Sequence, residues 1–207
     1  MKGSTDEALL AIATGNAHKA QEIFQLLSPL IPELKRENIV TQKQLGLPSP
    51  EEDGATFEAN ALLKARAVAE ASGLATIGDD SGLIVDVMGE APGIFSARWA
   101  GGHGDEAANM RLLLDQLQDL GDAHRGARFV CVAALVTPDG AERTTRGEVT
   151  GTLTRAPRGT HGFGYDPIFQ PTGWNETLGQ VPAERKNQIS HRSRALEALA
   201  PYVREVL

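Results

Sequence analysis

Apolar residues recur along this chain in short continuous runs, and between the runs they follow the three- and four-residue spacing of helices. The first three runs are compact and typical of buried strands. The last two are longer and richer in β-branched side chains, and the turn Pro138-Asp139-Gly140 between them predicts an antiparallel pair. These predicted strands lie at residues 8–13, 74–77, 83–87, 128–137 and 141–154.

Helical spacing separates the predicted strands at several places. Amphipathic segments begin at Lys19 and after Ser190, and they also span residues 56–71 and 105–120. Thr56 and Ser190 are expected to cap two of these helices, because a hydroxyl oxygen can accept from the first free N–H groups. A short candidate strand at residues 38–42 precedes the second helix.

The composition fits one large globular domain. The chain has 207 residues, 41% of them hydrophobic, and a formal net charge of -7. This charge argues against a general nucleic-acid binder, because phosphate backbones are held by basic surfaces. A small anionic ligand is not excluded, since it needs only a local cluster of Lys and Arg.

The cysteine content and the hydropathy pattern bear on location. Cys131 is the only cysteine, which excludes an internal disulfide, and its apolar surroundings predict an inert core thiol. No apolar stretch approaches the length of a membrane span, and the first residues lack the layout of a signal peptide. We therefore expect a cytoplasmic protein without a membrane partner.

Two adjacent carboxylates follow the run at 74–77, within Gly78-Asp79-Asp80-Ser81-Gly82. Ligands bind at the carboxyl ends of strands in α/β proteins. Neighbouring Asp side chains repel each other and lose hydration, a cost that a divalent cation or a strong donor offsets. The segment indicates a Mg²⁺ site with a general base, or else an acidic turn without chemistry.

The first predicted strand ends at Thr14-Gly15-Asn16, just before a helix that contains Lys19. Such a turn aims backbone N–H groups, a hydroxyl and an amide at whatever lies over the helix start, which favours phosphate. The spacing is not that of a Walker A loop, and Thr-Gly-Asn is also an ordinary turn.

Three consecutive acidic residues, Glu51-Glu52-Asp53, precede the helix over residues 56–71. Such a run is usually a solvated surface turn. Because this helix leads into the strand at 74–77, the acidic loop could instead lie near Asp79-Asp80. On the helix, Asn60 and Lys64 are four residues apart and share a face.

The last third of the chain holds two further candidates. Residues 157–167 place three glycines around Phe163 and Tyr165, with Asp166 following, which suits either close approach to a flat ring or a plain linker. His191 and Arg192 lie in the first turn of the last helix, against the helix dipole, so they are better explained by an acceptor that they meet. Lys186, one turn upstream, adds charge.

Seven short motifs occur together and in order, and their joint occurrence is far more specific than any one of them. They are Thr14-Gly15-Asn16-x-x-Lys19, Glu51-Glu52-x-Gly54-x-Thr56-Phe57, Asn60-Ala61-x-x-Lys64-Ala65, Asp79-Asp80-Ser81-Gly82-Leu83, Pro92-Gly93, Phe163-Gly164-Tyr165-Asp166 and Ser190-His191-Arg192. With these motifs the chain closely resembles the inosine/xanthosine triphosphate pyrophosphatases, which act on non-standard purine nucleotides. The resemblance runs from about Leu9 to Leu207, so residues 1–7 are expected to form a flexible tail of a single pyrophosphatase domain, 1–207.

The resemblance implies an α/β fold, with an elongated mixed β-sheet and flanking helices in two lobes around a central nucleotide cleft, and usually a homodimer. It also implies roles for individual residues. Asp80 would be the catalytic carboxylate and a Mg²⁺ ligand, with Glu51 as second ligand, a role that Glu52 or Asp79 could take instead. The substrate-binding residues would be Thr14, Gly15, Asn16, Ala17, His18, Lys19, Ser81, Phe163, Gly164, Tyr165, Asp166, Lys186, His191 and Arg192.

The expected reaction is Mg²⁺-assisted hydrolysis between the α- and β-phosphates of ITP, dITP or XTP, with water activated at Asp80 and charge on pyrophosphate offset by Lys19, with Lys64 as a second candidate for that role. A donor from His191 or Arg192 to the 6-oxo group would reject adenine, which presents a donor there. The alternatives are a pyrophosphatase for another modified base, which a substrate panel would separate, and a nucleotide sensor without turnover.

Overall fold

The computed structural model describes residues 8–102 and 104–207, in which six strands form one mixed sheet. The predicted tail at residues 1–7 lies outside the described residues. The sheet order is β2-β1-β3-β4-β5-β6, so the first strand in the chain lies between the second and third. The strands are β1 Leu10–Ala13, β2 Ile39–Thr41, β3 Ala75–Val85, β4 Gly126–Val136, β5 Glu142–Leu153 and β6 Phe169–Pro171.

The strand directions make the sheet mixed. β1 pairs in parallel with β2 and with β3, and Ile12 faces Thr41 in one register and Ile77 in the other. β5 and β6 are antiparallel, with Leu153 opposite Phe169. Parallel pairs require a crossover, and the helix between β1 and β2 and the helix before β3 supply those crossovers. The predicted α/β fold with a mixed sheet and flanking helices is confirmed.

Of the five α-helices among the described residues, four begin near the residues that the sequence indicates, whereas the short helix Ala183–Asn187 was not predicted. The helices are α1 Ala17–Leu30, α2 Phe57–Ser72, α3 Glu106–Gln116, α4 Ala183–Asn187 and α5 His191–Glu205. The predicted cap of α2 is confirmed, because Thr56 Oγ1 accepts from the Ala59 N–H at 3.1 Å. Among the described residues no helix combines the length and the apolar character needed to span a membrane.

The described chain divides into two compact units, and β3, β4 and β5 each contribute residues to both. The first unit contains the chain up to Asp80 together with Cys131–Gly147 and Arg192–Leu207, and the second contains Ser81–Val130 and Glu148–His191. The prediction of one pyrophosphatase domain over residues 1–207 stays a prediction.

In the first unit, alternation along the strands separates two layers of helix. Leu10 and Ile12 pack with Ile23 and Leu27 of α1 and with Leu196 and Leu199 of α5. Ala11 and Ala13, which point the other way, pack with Val68 of α2. The sheet of this unit is therefore covered by α1 and α5 on one face and by α2 on the other.

In the second unit, α3 packs its apolar side on the remaining halves of the long strands. Leu113 of α3 and Leu117, the residue that follows this helix, join Leu83 and Val85 of β3 and Phe169 of β6 in one buried cluster. This cluster explains the helical spacing that the sequence shows at residues 105–120.

Two short elements, β6 and α4, were not predicted, and one pair of predicted strands is a single strand. The runs at 74–77 and 83–87, with a turn between them, are a single strand of 11 residues, Ala75–Val85. Gly78 belongs to this strand because α2 packs directly over it: a Cβ there would lie 2.5 Å from the Ala61 carbonyl oxygen and 3.0 Å from the Ala65 nitrogen. The glycine reflects close approach of a helix rather than a turn.

Candidate active site

Asp79 and Asp80 are consecutive residues of β3, so their side chains leave opposite faces of the sheet. Asp79 is 2% exposed and Asp80 is 7% exposed. Burial of two carboxylates is costly unless each is paired with a cation. The structure gives each aspartate its own cations, from α1 and α5 on one face and from α2 on the other.

Asp79 contacts cations from two helices. Its Oδ2 lies 3.3 Å from Lys19 Nζ and accepts from Arg192 at 3.2 Å and 3.3 Å. Arg192 is 1% exposed, and its Nη1 also donates to Glu22 Oε2 at 2.5 Å. Burial alone would raise the pKa of Asp79, but Lys19, Arg192 and Lys64 together hold it well below its usual range. Asp79 is therefore locked in the ionised form.

Asp80 is held by α2. Its Oδ1 accepts from Lys64 Nζ at 2.9 Å, and its Oδ2 accepts from the Asn60 amide at 3.4 Å. Lys64 Nζ also lies 3.1 Å from Glu52 Oε1. Burial raises the pKa of Asp80, and the attraction of Lys64 offsets this only in part. For Lys64, burial lowers the pKa, but the carboxylates of Asp80, Asp79 and Glu52 outweigh it, and the net shift is upward.

Two neighbouring carboxylates with pKa values pushed in opposite directions are typical of a division of chemical roles. Asp79 keeps its charge and fixes Lys19, whereas Asp80 takes up a proton more readily than an ordinary Asp. A carboxylate with a raised pKa accepts a proton more readily and suits a general base.

The Thr14 turn forms the start of α1. Asn16 caps the helix, since its Oδ1 accepts from the backbone N–H groups of His18 at 2.9 Å and Lys19 at 3.2 Å. The Asn16 N–H in turn donates to Thr14 Oγ1 at 3.1 Å. The turn also borders a cavity of about 520 Å³. Gly15, Asn16, Ala17 and His18 are exposed and Thr14 and Lys19 are half-buried, so the segment is open to a ligand.

The glycine-rich loop of the second unit brings together three of the predicted residues. Asp166 Oδ2 accepts from the Phe163 N–H at 2.9 Å and from Lys186 Nζ at 2.7 Å. Lys186 Nζ lies 4.6 Å from the centre of the Phe163 ring, a cation–π contact. Gly162 has a φ of 73°, and a Cβ there would lie 2.1 Å from Asp166 Oδ2. The loop is thus closed tightly around the Asp166 carboxylate.

Other predicted residues of this part of the chain have structural contacts of their own. Tyr165 is 4% exposed and donates its hydroxyl to the Ser96 carbonyl at 2.9 Å, and burial raises its pKa. His191 is buried and stacks on Phe129, with ring centres 4.9 Å apart and planes 13° apart. Ser81 is half-buried and follows Asp80 on β3.

Several predictions of single residues gain detail. Glu52 contacts Lys64, which also contacts Asp80, whereas Glu51 is exposed. The structure therefore favours Glu52 over Glu51 as the second carboxylate near Asp80. The role of Glu51 as a metal ligand stays a prediction. Sequence reasoning did not single out Glu22. Its spacing of three from Lys19 on α1 was a signal, because residues three apart share a helix face.

The carboxylates of this cluster are a chemically suitable donor set for a Mg²⁺ ion that is also coordinated by the phosphates of a substrate. Among the described residues, no group of three or more His, Cys, Asp or Glu side chains could hold a metal. Mg²⁺ usually binds through one or two carboxylates, waters and substrate phosphates rather than in an all-protein cage. Asp80 and Glu52, which share the ammonium group of Lys64, are two such carboxylates.

The fold and this cluster define a class: an α/β protein whose mixed sheet carries paired carboxylates among lysines, arranged to bind an anionic ligand. The chain belongs to the Ham1 family, whose profile matches residues 10–202. This confirms the family resemblance seen in the motifs.

The relatives cover nearly the full length of the chain. A dITP/XTP pyrophosphatase of Streptomyces coelicolor is 53% identical over 198 residues, which is 96% of this chain and 98% of the relative. A HAM1 protein from Coxiella burnetii has a solved structure with a TM-score of 0.84, 38% identity, and coverage of 96% of this chain and 99% of that one. A nucleoside-triphosphatase, dITP/XTP pyrophosphatase, from Mycobacterium abscessus has a TM-score of 0.73, 45% identity, and coverage of 93% and 98%.

Proposed function

We propose that this protein hydrolyses non-standard purine nucleoside triphosphates, ITP, dITP and XTP, to the monophosphate and pyrophosphate, and so keeps deaminated purines out of DNA and RNA. The observation that carries the proposal is the pair Asp79 and Asp80, buried on opposite faces of β3, where they contact Lys19 and Lys64 and their pKa values are shifted in opposite directions. The names of the full-length relatives, dITP/XTP pyrophosphatase, support the choice of substrate.

The chemical step needs a base and an offset for negative charge. Asp80 accepts the proton of a water that attacks the α-phosphorus, and Asn60 and Lys64 keep its carboxylate in place. Lys19, fixed by Asp79 next to the start of α1, offsets charge that develops on the leaving pyrophosphate. Glu52 or Glu51 together with Asp80 would hold Mg²⁺, which supplies charge neutralisation at the phosphates.

Base recognition is assigned to the loop of the second unit. Phe163 offers a half-buried aromatic face, and Asp166 and Lys186 place one acceptor and one donor group beside it. Arg192 has a different task in this proposal, because its guanidinium is buried against Asp79 and Glu22. Of the two donors expected for the 6-oxo group, His191 is therefore the one that we retain.

The test is pyrophosphate release from ITP, dITP, XTP, GTP and ATP, each with Mg²⁺ and with excess chelator. We expect rapid, metal-dependent release from the first three and little from GTP and ATP. Equal rates on all five substrates would contradict the proposed base recognition but would still agree with the proposed hydrolysis of the phosphate chain. Nucleotide binding without any release would contradict the hydrolase and favour a sensor.

Two further parts of the proposal concern the state of the protein in the cell. We propose a homodimer, as the family resemblance implies, and a place in the cytoplasm without nucleic-acid or membrane partners, as the net charge and the hydropathy pattern indicate. Light scattering of the purified protein tests the dimer, and a mass that corresponds to a single chain at working concentration would contradict it.

A further inference from the structure

The loop that carries Phe163 and Asp166 is anchored by two groups that sequence reasoning did not connect with it. Glu106 Oε2 accepts a hydrogen bond from the Gly164 N–H at 2.7 Å. At the next residue, the Tyr165 hydroxyl donates to the Ser96 carbonyl oxygen at 2.9 Å. Between Phe163 and Asp166 the loop is thus held through the backbone N–H of Gly164 and, at the next residue, through the side chain of Tyr165.

The two anchors are joined to each other. Glu106 is the first residue of α3, and Asn109 lies one turn further along the same helix. Asn109 Oδ1 accepts from the Ala100 N–H at 2.7 Å, and its amide donates to the Ala97 carbonyl at 3.2 Å. Since Ala97 follows Ser96 directly, these hydrogen bonds connect the start of α3 with the segment that contains the Ser96 carbonyl. The two groups that contact the loop therefore belong to segments bonded to each other.

The contact with Glu106 is a hydrogen bond from a backbone N–H to a carboxylate, and it restricts the orientation of the backbone at Gly164. A hydrogen bond from an N–H to a carboxylate is shorter and stronger than one between neutral groups. Gly164 has a φ of 61°, a left-handed conformation that glycine adopts without steric cost. Fixing Gly164 fixes the residue before it, Phe163, whose N–H donates to Asp166 at 2.9 Å.

We propose that Glu106 is a positioning residue for nucleobase recognition, which holds Gly164 and through it the Phe163 ring and the Asp166 carboxylate. The inference rests on the proposed function, because that function assigns the base to this loop. Glu106 contacts the loop backbone, so its removal alters binding and selectivity among bases and leaves the hydrolytic step unchanged.

The test compares Glu106→Ala and Glu106→Gln with wild type, and uses Asp115→Ala as the matched control. Asp115 is an exposed acid on the same helix, nine residues further along. We expect Glu106→Ala to raise KM for dITP about tenfold with kcat nearly unchanged, the size expected when a hydrogen bond to a charged group is lost. The preference for dITP over dGTP should fall, and Glu106→Gln, whose amide oxygen can accept, should recover much of both.

Affinity for IMP, measured by calorimetry, separates this inference from the proposed function. Wild-type protein that releases no pyrophosphate would contradict the function, and IMP affinity would still decide the role of Glu106. Weaker IMP binding in Glu106→Ala but not in Asp115→Ala supports the inference. Unchanged IMP affinity and an unchanged dITP preference would overturn it, as would a fall in kcat with KM unaltered.

Discussion

Replacing Arg192 with methionine should destabilise the fold severely. The guanidinium is 1% exposed and lies between two carboxylates, at 2.5 Å from Glu22 and at 3.2 Å and 3.3 Å from Asp79. Removal of one partner from a buried ion pair costs about 3–5 kcal/mol, because the other charge stays buried without compensation. That is a large share of a total free energy of unfolding of about 5–15 kcal/mol.

Urea denaturation at about pH 7 and about pH 4.5 measures this loss and its cause. In the wild type, the pKa of Asp79 is held below its unfolded value, so its contribution is present above that value and disappears only as pH falls towards the folded pKa. Without Arg192, Asp79 keeps only Lys19 and Lys64 as compensating cations, so its pKa should rise relative to the wild type, and the penalty should fade as pH falls because the carboxyl becomes neutral. The difference in unfolding free energy between the two proteins should therefore shrink at the lower pH.

Arg192→Lys is the control, because it keeps the charge but not the planar pair of donors, and its loss should be smaller. A loss for Arg192→Met below about 1 kcal/mol at neutral pH, or an equal loss at both pH values, would refute the assignment of a buried charge network. Equal slopes of the transitions against urea are required for the comparison, since a changed slope reports a changed unfolded or native state.

Three further outcomes are expected. Asp80→Asn should bind ITP as the wild type does while its kcat falls about 100-fold or more, measured by pyrophosphate release; a near-normal rate would remove Asp80 from the role of base. Gly78→Ala should cost about 1–3 kcal/mol of unfolding free energy because its Cβ would meet the Ala61 carbonyl at 2.5 Å, whereas Gly121→Ala, with no atom within 4 Å, should be nearly neutral. Since burial raises the pKa of Cys131 to about 12, a thiol reagent should label it only after denaturation, and labelling of native protein would contradict its place in the core.

Hydrophobic spacing alone predicts most of the elements. The predicted strand at 141–154 is β5, Glu142–Leu153, and the helix expected over residues 56–71 is α2, Phe57–Ser72. These segments are long and strongly periodic, so local pattern and tertiary packing agree. The continuity of β3 was not predictable in this way, because Gly78 and Gly82 are typical of turns, and the reason for Gly78 is a helix that packs over it.

The candidate site was predictable in its residue types and only partly in its contacts. The placement of Arg192 in the first turn of α5 indicates an acceptor, and the structure supplies Glu22 and Asp79 as acceptors within the protein. The stacking of His191 on Phe129 joins residues far apart in the chain, and no local pattern indicates it. The hydrogen bond between Glu106 and Gly164 was not predictable for the same reason, since the two residues are far apart in the chain.

The adjacency of Asp79 and Asp80 looks in the sequence like a like-charge conflict that a metal must resolve. In the structure the pleat of β3 resolves it, because consecutive side chains leave opposite faces and meet different helices. Asp79 contacts Lys19, whereas Asp80 contacts Lys64. Burial affects both carboxylates, but only Asp79 has enough cations around it to lower its pKa. One strand thus separates a permanent anion, Asp79, which holds Lys19, from Asp80, whose carboxyl takes up a proton more readily than an ordinary Asp, and this difference follows from their positions on opposite faces of a single sheet.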